Sequence, residues 1–160
     1  MPWNKPYQPP ANRRLDRQLY ADPNQVAFVT VRAYAGSSPF LQTALSQMAI
    51  RSLVDLQQRG SCVIYAYCLM PDHLHVVLSP CPGHSALTLI DRYKGLTTHH
   101  SWSLGWRGKL WQPRYYDHLI RREESLVAII EYVLANPVRK GLVEHPEAWP
   151  WSGCPTPVPA

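Results

Sequence analysis

No apolar run in this chain approaches the ~20 residues a helix needs to cross a bilayer. The opening Met1-Pro2-Trp3-Asn4-Lys5-Pro6 carries no apolar signal region. The expectation is a cytoplasmic protein with no membrane partner. No two of the four cysteines, Cys62, Cys68, Cys81 and Cys154, form a C-x-x-C pair, which argues against a cysteine zinc site. Cys62 and Cys68 lie in apolar, strand-like sequence and read as reduced core thiols. There is no heptad and no internal repeat. Acidic residues are the scarce charge: 11 against 16 basic ones, a net charge of +5, with 12 of the basic residues arginine. That balance favours a polyanionic partner. Arginine also brings forked donors for phosphate and a flat face for stacking on a base.

At 160 residues, 46% hydrophobic and 17% charged, the chain reads as one folded domain with a real core. Four prolines in residues 1–12 and four in 150–160 mark extended, weakly ordered ends. The domain boundaries follow as a tail over 1–12, a single domain over 13–153 and a tail over 154–160. Alternation predicts a strand over Gln25–Tyr34 and others over Cys62–Cys68, His73–Ser79 and Trp111–Ile120. Three-to-four spacing predicts helices over Phe40–Arg59, closed by Gly60, over Ser85–His100, and over Glu123–Ala135, where Pro137 prevents simple continuation. The order β-α-β-β-α-β-α is that of an α+β, ferredoxin-like split β-α-β fold. It implies an antiparallel sheet of four to five strands with helices on one face and a further C-terminal helix.

The densest signal is Tyr67-Cys68-Leu69-Met70-Pro71-Asp72-His73-Leu74-His75-Val76-Val77-Leu78. On a strand, His73 and His75 point one way and Leu74, Val76 and Leu78 the other. The pair reads as surface polar positions alternating with core, or as a partial ligand set at a wetter surface for a divalent metal. In the last helix, Leu126, Ile129, Ile130, Val133 and Leu134 make one buried stripe. Tyr132 lies roughly 130° from its centre, and Asn136 is four residues on. Tyr132 fits a half-buried helix-edge tyrosine. It also fits a nucleophile, with the Asn136 side-chain oxygen completing a metal site. A phenol of pKa near ~10 is a poor nucleophile at neutral pH. A cation polarising the phosphate offsets that handicap and fixes in-line geometry. The product, a phosphotyrosine, stores the energy of the broken phosphodiester for later rejoining.

Tyr116 competes as nucleophile, and it shares a strand face with His118. A packing role for the Tyr115-Tyr116-Asp117-His118 run is the simpler reading, with Asp117 a candidate for orienting an imidazole. Arg13, Arg14, Arg17, Lys94, Arg114, Arg121, Arg122, Arg139 and Lys140 are the candidate contacts to the phosphates of a nucleic acid. Trp102, Trp106 and Trp111 are interleaved with basic residues, either as a stacking platform for unpaired bases or as packing residues. His99 and His100, at the end of the second helix, face solvent or DNA in this reading.

These segments together resemble the HUH single-strand DNA transposases with one catalytic tyrosine, and within them the REP-associated tyrosine transposases, an IS200-like group. The resemblance rests on Tyr67–Leu78, Leu110–Arg121, Glu131–Val143 and the closing Trp149-Pro150-Trp151-Ser152, in that order. It implies that His73 and His75 bind the metal, that Tyr132 is the catalytic tyrosine, and that Asn136 stands at a third ligand position where wider relatives carry glutamine. It also implies Mg²⁺- or Mn²⁺-dependent cleavage of single-stranded DNA beside a palindromic hairpin, leaving a 5′-phosphotyrosine and a free 3′-hydroxyl. A monomer is favoured, and a homodimer is the alternative. Two other functions compete. A non-catalytic hairpin DNA- or RNA-binding regulator on the same sheet needs neither metal nor Tyr132. A metal hydrolase using water would cleave without a covalent intermediate.

Overall fold

The computed structural model describes residues 6–121 and 124–158. Strands β1 (Ala27–Arg32), β2 (Cys62–Met70), β3 (His73–Pro80), β4 (Tyr116–Leu119) and β5 (Ser152–Gly153) form one sheet in the order β4-β1-β3-β2-β5. Every pairing is antiparallel. Helix α1 (Thr43–Gln58) links β1 to β2, and α2 (Ala86–Ser103) leaves β3 on the way to β4. Helices α3 (Leu126–Leu134) and α4 (Asn136–Arg139) follow β4. This is the α+β split β-α-β fold, with β5 added on the β2 edge. No helix among the described residues is long and apolar enough to cross a membrane.

The pleat sorts the side chains. Val29, Val31, Leu74, Val76 and Leu78 join the larger core with Leu45, Leu53, Leu87, Ile90 and Tyr93 of α1 and α2. Phe28, Ala66, Cys68, Met70 and Val77 face the other way and pack under Ile129, Ile130 and Val133 of α3. Burial pushes the Cys62 and Cys68 thiols up to about 12, as suits unreactive core cysteines. Gly60 ends α1 at φ +76°, a left-handed turn that suits glycine.

Several boundaries differ from the sequence reading. Residues Pro39–Leu41 form a separate 3₁₀ turn, so Leu41 is exposed and outside the α1 stripe. The α2 helix runs through Ser103, which places His99 and His100 on the helix itself. The fourth strand spans only Tyr116–Leu119. Trp111 makes an isolated bridge to Ala33, and Pro113 interrupts the run between them. Ser125 caps α3, its hydroxyl accepting from the Ala128 N–H.

The face carrying the histidines is not a wetter surface. α3 lies across β2 and β3 and covers it. Residues 6–12, the described part of the expected N-terminal tail, have no regular secondary structure but are docked on the same face, where Tyr7 packs against Phe28 and Tyr132. At the other end, Trp149 donates its indole N–H to the Leu69 carbonyl, and Leu69 N–H donates to the Trp151 carbonyl.

Candidate active site

Strand register assembles the site. Thr30 lies opposite His75 and Arg32 opposite His73, while Thr30 also faces Tyr116 across β4. Opposed residues of paired strands project from the same face. One row of the sheet therefore presents Tyr116, Thr30 and His75 together, with Arg32 and His73 on the next row.

His73, His75 and Asn136 are only 5%, 8% and 3% exposed. His73 Nδ1–H donates to Asp72 Oδ1 at 2.7 Å, since a carboxylate can only accept. That leaves the Nε2 lone pair of neutral His73 pointing inward, where the Asn136 amide nitrogen sits at 2.9 Å. His75 Nδ1 is 2.7 Å from Thr30 Oγ1, a hydroxyl that both donates and accepts and so suits either tautomer. The two Nε2 atoms are 3.2 Å apart. Burial is the first cause lowering the pKa of both rings, strongly so for His75, and Asp72 partly offsets it at His73. Both imidazoles are thus neutral near pH 7, the form in which they ligate metals.

The donor chemistry fits a divalent ion. Two adjacent ligands each ~2.1 Å from a metal stand ~3 Å apart, close to the spacing of the two Nε2 atoms. Among the described residues no cluster of three His, Cys, Asp or Glu side chains exists. The further polar side chain at this place is the Asn136 amide, which carries one oxygen and one nitrogen. Asn136 gets there by a break in the helix: Ala135, at φ −79° and ψ −5°, ends α3, and α4 begins with Asn136 and Pro137. Asp72 and Thr30 hold the outer nitrogens of the imidazoles, as partners of metal-binding histidines do.

Tyr132 stands beside this group. It lines a cavity of about 360 Å³ together with His73, His75, Asn136, Arg32 and Lys140. It also lines a second of about 390 Å³ with His75, Thr30, Arg32 and Arg114. Its ring centroid is 6.4 Å from that of His75 and 6.2 Å from that of Phe28. Tyr116 is engaged elsewhere: its hydroxyl donates to the Pro10 carbonyl at 2.8 Å, and burial pushes its pKa up to about 12. His118 Nε2 meets the Glu124 carboxylate at 2.8 Å.

Other sequence expectations change. Asp117 orients no imidazole, because it pairs with Val29 and so projects from the opposite face. It accepts from Arg14 at 2.6 and 2.9 Å and from the Tyr20 hydroxyl at 2.6 Å. Arg14 is thus a structural clamp. Lys94 donates to the Pro113 carbonyl and lies over the Tyr115 ring. Arg139 lies over the Tyr132 ring at 3.9 Å and donates to the Tyr132 carbonyl. Arg114 and Lys140 line the cavities at Tyr132, whereas Arg13, Arg17 and Arg121 are exposed away from those cavities. Arg122 lies outside the described residues. Trp111 is no stacking platform: it is buried against Phe40 and Tyr93 and donates to Thr97 Oγ1. Trp106 is half-buried against the same core, and Trp102 is exposed. Thr30, Arg32 and Asp72 were not singled out in the sequence. The signal for Thr30 and Arg32 was their place as polar alternates in Ala27–Arg32.

Residues 25–136 match the family described as "Transposase IS200 like", more than half of the chain. A REP-associated tyrosine transposase of Escherichia coli (strain K12) is 26% identical over 125 residues, covering 78% of this chain and 73% of the relative. Among solved structures, a REP-associated tyrosine transposase bound to a REP hairpin aligns with a TM-score of 0.72 and 25% identity, over 88% of this chain and 81% of the other. A Deinococcus radiodurans crystal structure shares the fold, with a TM-score of 0.52 and 19% identity over 69% of this chain and 88% of the other. The extent of the family match establishes that this chain belongs to the IS200-like transposase family.

Proposed function

We propose that this protein is a metal-dependent single-stranded DNA endonuclease and strand transferase that acts beside palindromic, REP-like hairpins through Tyr132. The observation that carries the reading is the convergence of His73 Nε2, His75 Nε2 and the Asn136 amide in a cavity that Tyr132 also lines. The hairpin-bound relative supports the choice of DNA substrate.

His73, His75 and Asn136 would hold a Mg²⁺ or Mn²⁺ ion. When bound, such an ion supplies Lewis-acid polarisation of the scissile phosphate. Arg32, Arg114 and Lys140 border the cavities and draw the phosphate backbone toward Tyr132. The Tyr132 phenol oxygen loses its proton and forms a bond to phosphorus, the bond from phosphorus to the 3′ oxygen breaks, and that oxygen takes up a proton, so the upstream strand departs with a free 3′-hydroxyl. The downstream strand stays on the enzyme through its 5′ phosphate as a phosphotyrosine, which a 3′-hydroxyl reverses in the rejoining step, returning the tyrosine to its phenol. Arg139, stacked on the ring, favours the electron-rich phenolate that forms on the way.

The test is a labelled single-stranded oligonucleotide bearing a palindromic repeat, incubated with Mn²⁺ and run on a denaturing protein gel. Wild type is expected to give a labelled protein band that chelator and Tyr132→Phe both abolish. Cleavage that survives Tyr132→Phe moves the nucleophile to water or Tyr116. Hairpin binding without cleavage favours the non-catalytic regulator.

A further inference from the structure

Besides Phe28 and His75 of the sheet, two groups from outside the sheet flank the Tyr132 ring. The Arg139 guanidinium carbon is 3.9 Å from its centroid on one side. On another, Tyr7 meets it edge-on, with centroids 5.4 Å apart and planes at 77°. α3 does little to fix the ring from the outer side. There a cavity of about 1000 Å³ opens, and the helix contributes the small Ala128 and Ala135 beside Glu131. Tyr7 and Tyr132 line this cavity together, so Tyr7 is the aromatic neighbour of Tyr132 on that flank.

Tyr7 comes from neither sheet nor helix. Residues 6–12 make no backbone–backbone hydrogen bond among the described residues. The segment is tied down by side chains instead: the Tyr116 hydroxyl donates to the Pro10 carbonyl, and Arg14 forks onto buried Asp117. The Tyr7 hydroxyl is buried without a hydrogen-bond partner among the described residues. A buried, unpaired hydroxyl opposes docking. The ring, packed on Phe28 at 6.3 Å and on Tyr132, is therefore what holds Tyr7 in place.

We infer that Tyr7 is a positioning residue for Tyr132, its ring confining the nucleophile to one rotamer above the histidine–asparagine group. The inference rests on the proposed role of Tyr132. Misplacing a reacting group by about 1 Å costs up to ~100-fold in rate, so a loosened Tyr132 slows the covalent step and leaves hairpin recognition alone. Edge-on contact needs the ring and not the hydroxyl, so phenylalanine is an adequate substitute.

Full-length wild type, Tyr7→Ala and Tyr7→Phe are compared with a hairpin-bearing oligonucleotide and Mn²⁺ for single-turnover adduct rate, hairpin Kd and Tm. The Tyr132 side-chain rotamer is read in parallel by NMR couplings without DNA. Tyr7→Ala is expected to lower the adduct rate by about tenfold or more, to leave Kd unchanged and to average the Tyr132 rotamer. Tyr7→Phe is expected to restore both rate and rotamer, with an equal or higher Tm. An unchanged or faster rate in Tyr7→Ala overturns the inference and makes the segment a cover over the site. A fall in rate, affinity and Tm together, unrescued by phenylalanine, also overturns it. Absence of an adduct in wild type defeats the nucleophile reading, and the rotamer measurement then still decides whether Tyr7 positions Tyr132.

Discussion

The two faces of the sheet use alternate residues of the same strands and are closed by different means. One face is Val29, Val31, Leu74, Val76 and Leu78, sealed by α1 and α2, which are 16 and 18 residues long. The other carries Thr30, Arg32, His73 and His75, and is covered by the nine-residue α3 and an irregular N-terminal segment. On the first face burial yields stability through apolar contact. On the second it keeps two imidazoles neutral, with their Nε2 atoms 3.2 Å apart. A period of two residues thus separates the part that holds the molecule together from the part to which we assign its chemistry.

Substitutions sharpen that contrast. The largest stability effect belongs to the apolar face: Leu74→Ala should cost about 3 kcal/mol in denaturant unfolding and leave the Mn²⁺ affinity of the folded protein nearly unchanged. Asp117→Ala comes next, on the same face. It takes away the acceptor of the buried Tyr20 hydroxyl, which keeps only the Leu15 N–H, and frees Arg14, for a loss of about 2 to 3 kcal/mol once the partial exposure of Arg14 is allowed for. On the chemical face the expected pattern inverts. Thr30→Val removes the partner of His75 Nδ1 and should weaken Mn²⁺ affinity or the adduct rate about 10- to 100-fold, with a small change in Tm. The gentlest perturbation is acid. Both histidines have folded-state pKa values below the unfolded ~6.5, so the unfolded chain binds protons first and stability falls as pH drops below about 6.5. A Tm profile from pH 8 to 5 should be flat and then decline, and the decline should shrink in a His73→Gln, His75→Gln double variant. An unaltered decline in that variant would assign it to other groups.

Much of this was legible in the sequence. Alternation around Val29 and Leu74 and the helical spacing of Ile129, Ile130 and Val133 gave the elements and their inward faces, because these patterns are local. The common face of His73 and His75 followed from strand geometry alone. What covers that face did not, since the docking of α3 and of Tyr7 is decided by packing between distant segments. Asp117 was misread for a related reason: its side of the sheet depends on where β4 begins, and Pro113 shortens that strand. Thr30 and Arg32 came into view only through the β1–β3 register, which no single strand reveals. Arg14 and Arg139 looked like free cations because a sequence shows charge and hides the partner that occupies it.

The most direct test of the account is Mn²⁺ titration of the DNA-free protein followed by electron paramagnetic resonance, comparing wild type, Tyr132→Phe and His75→Ala. The account predicts one bound ion per chain in wild type and in Tyr132→Phe, and loss of that ion in a folded His75→Ala. Binding that persists in His75→Ala, or no binding in wild type, would contradict the claim that the buried face of this sheet is a metal centre serving Tyr132.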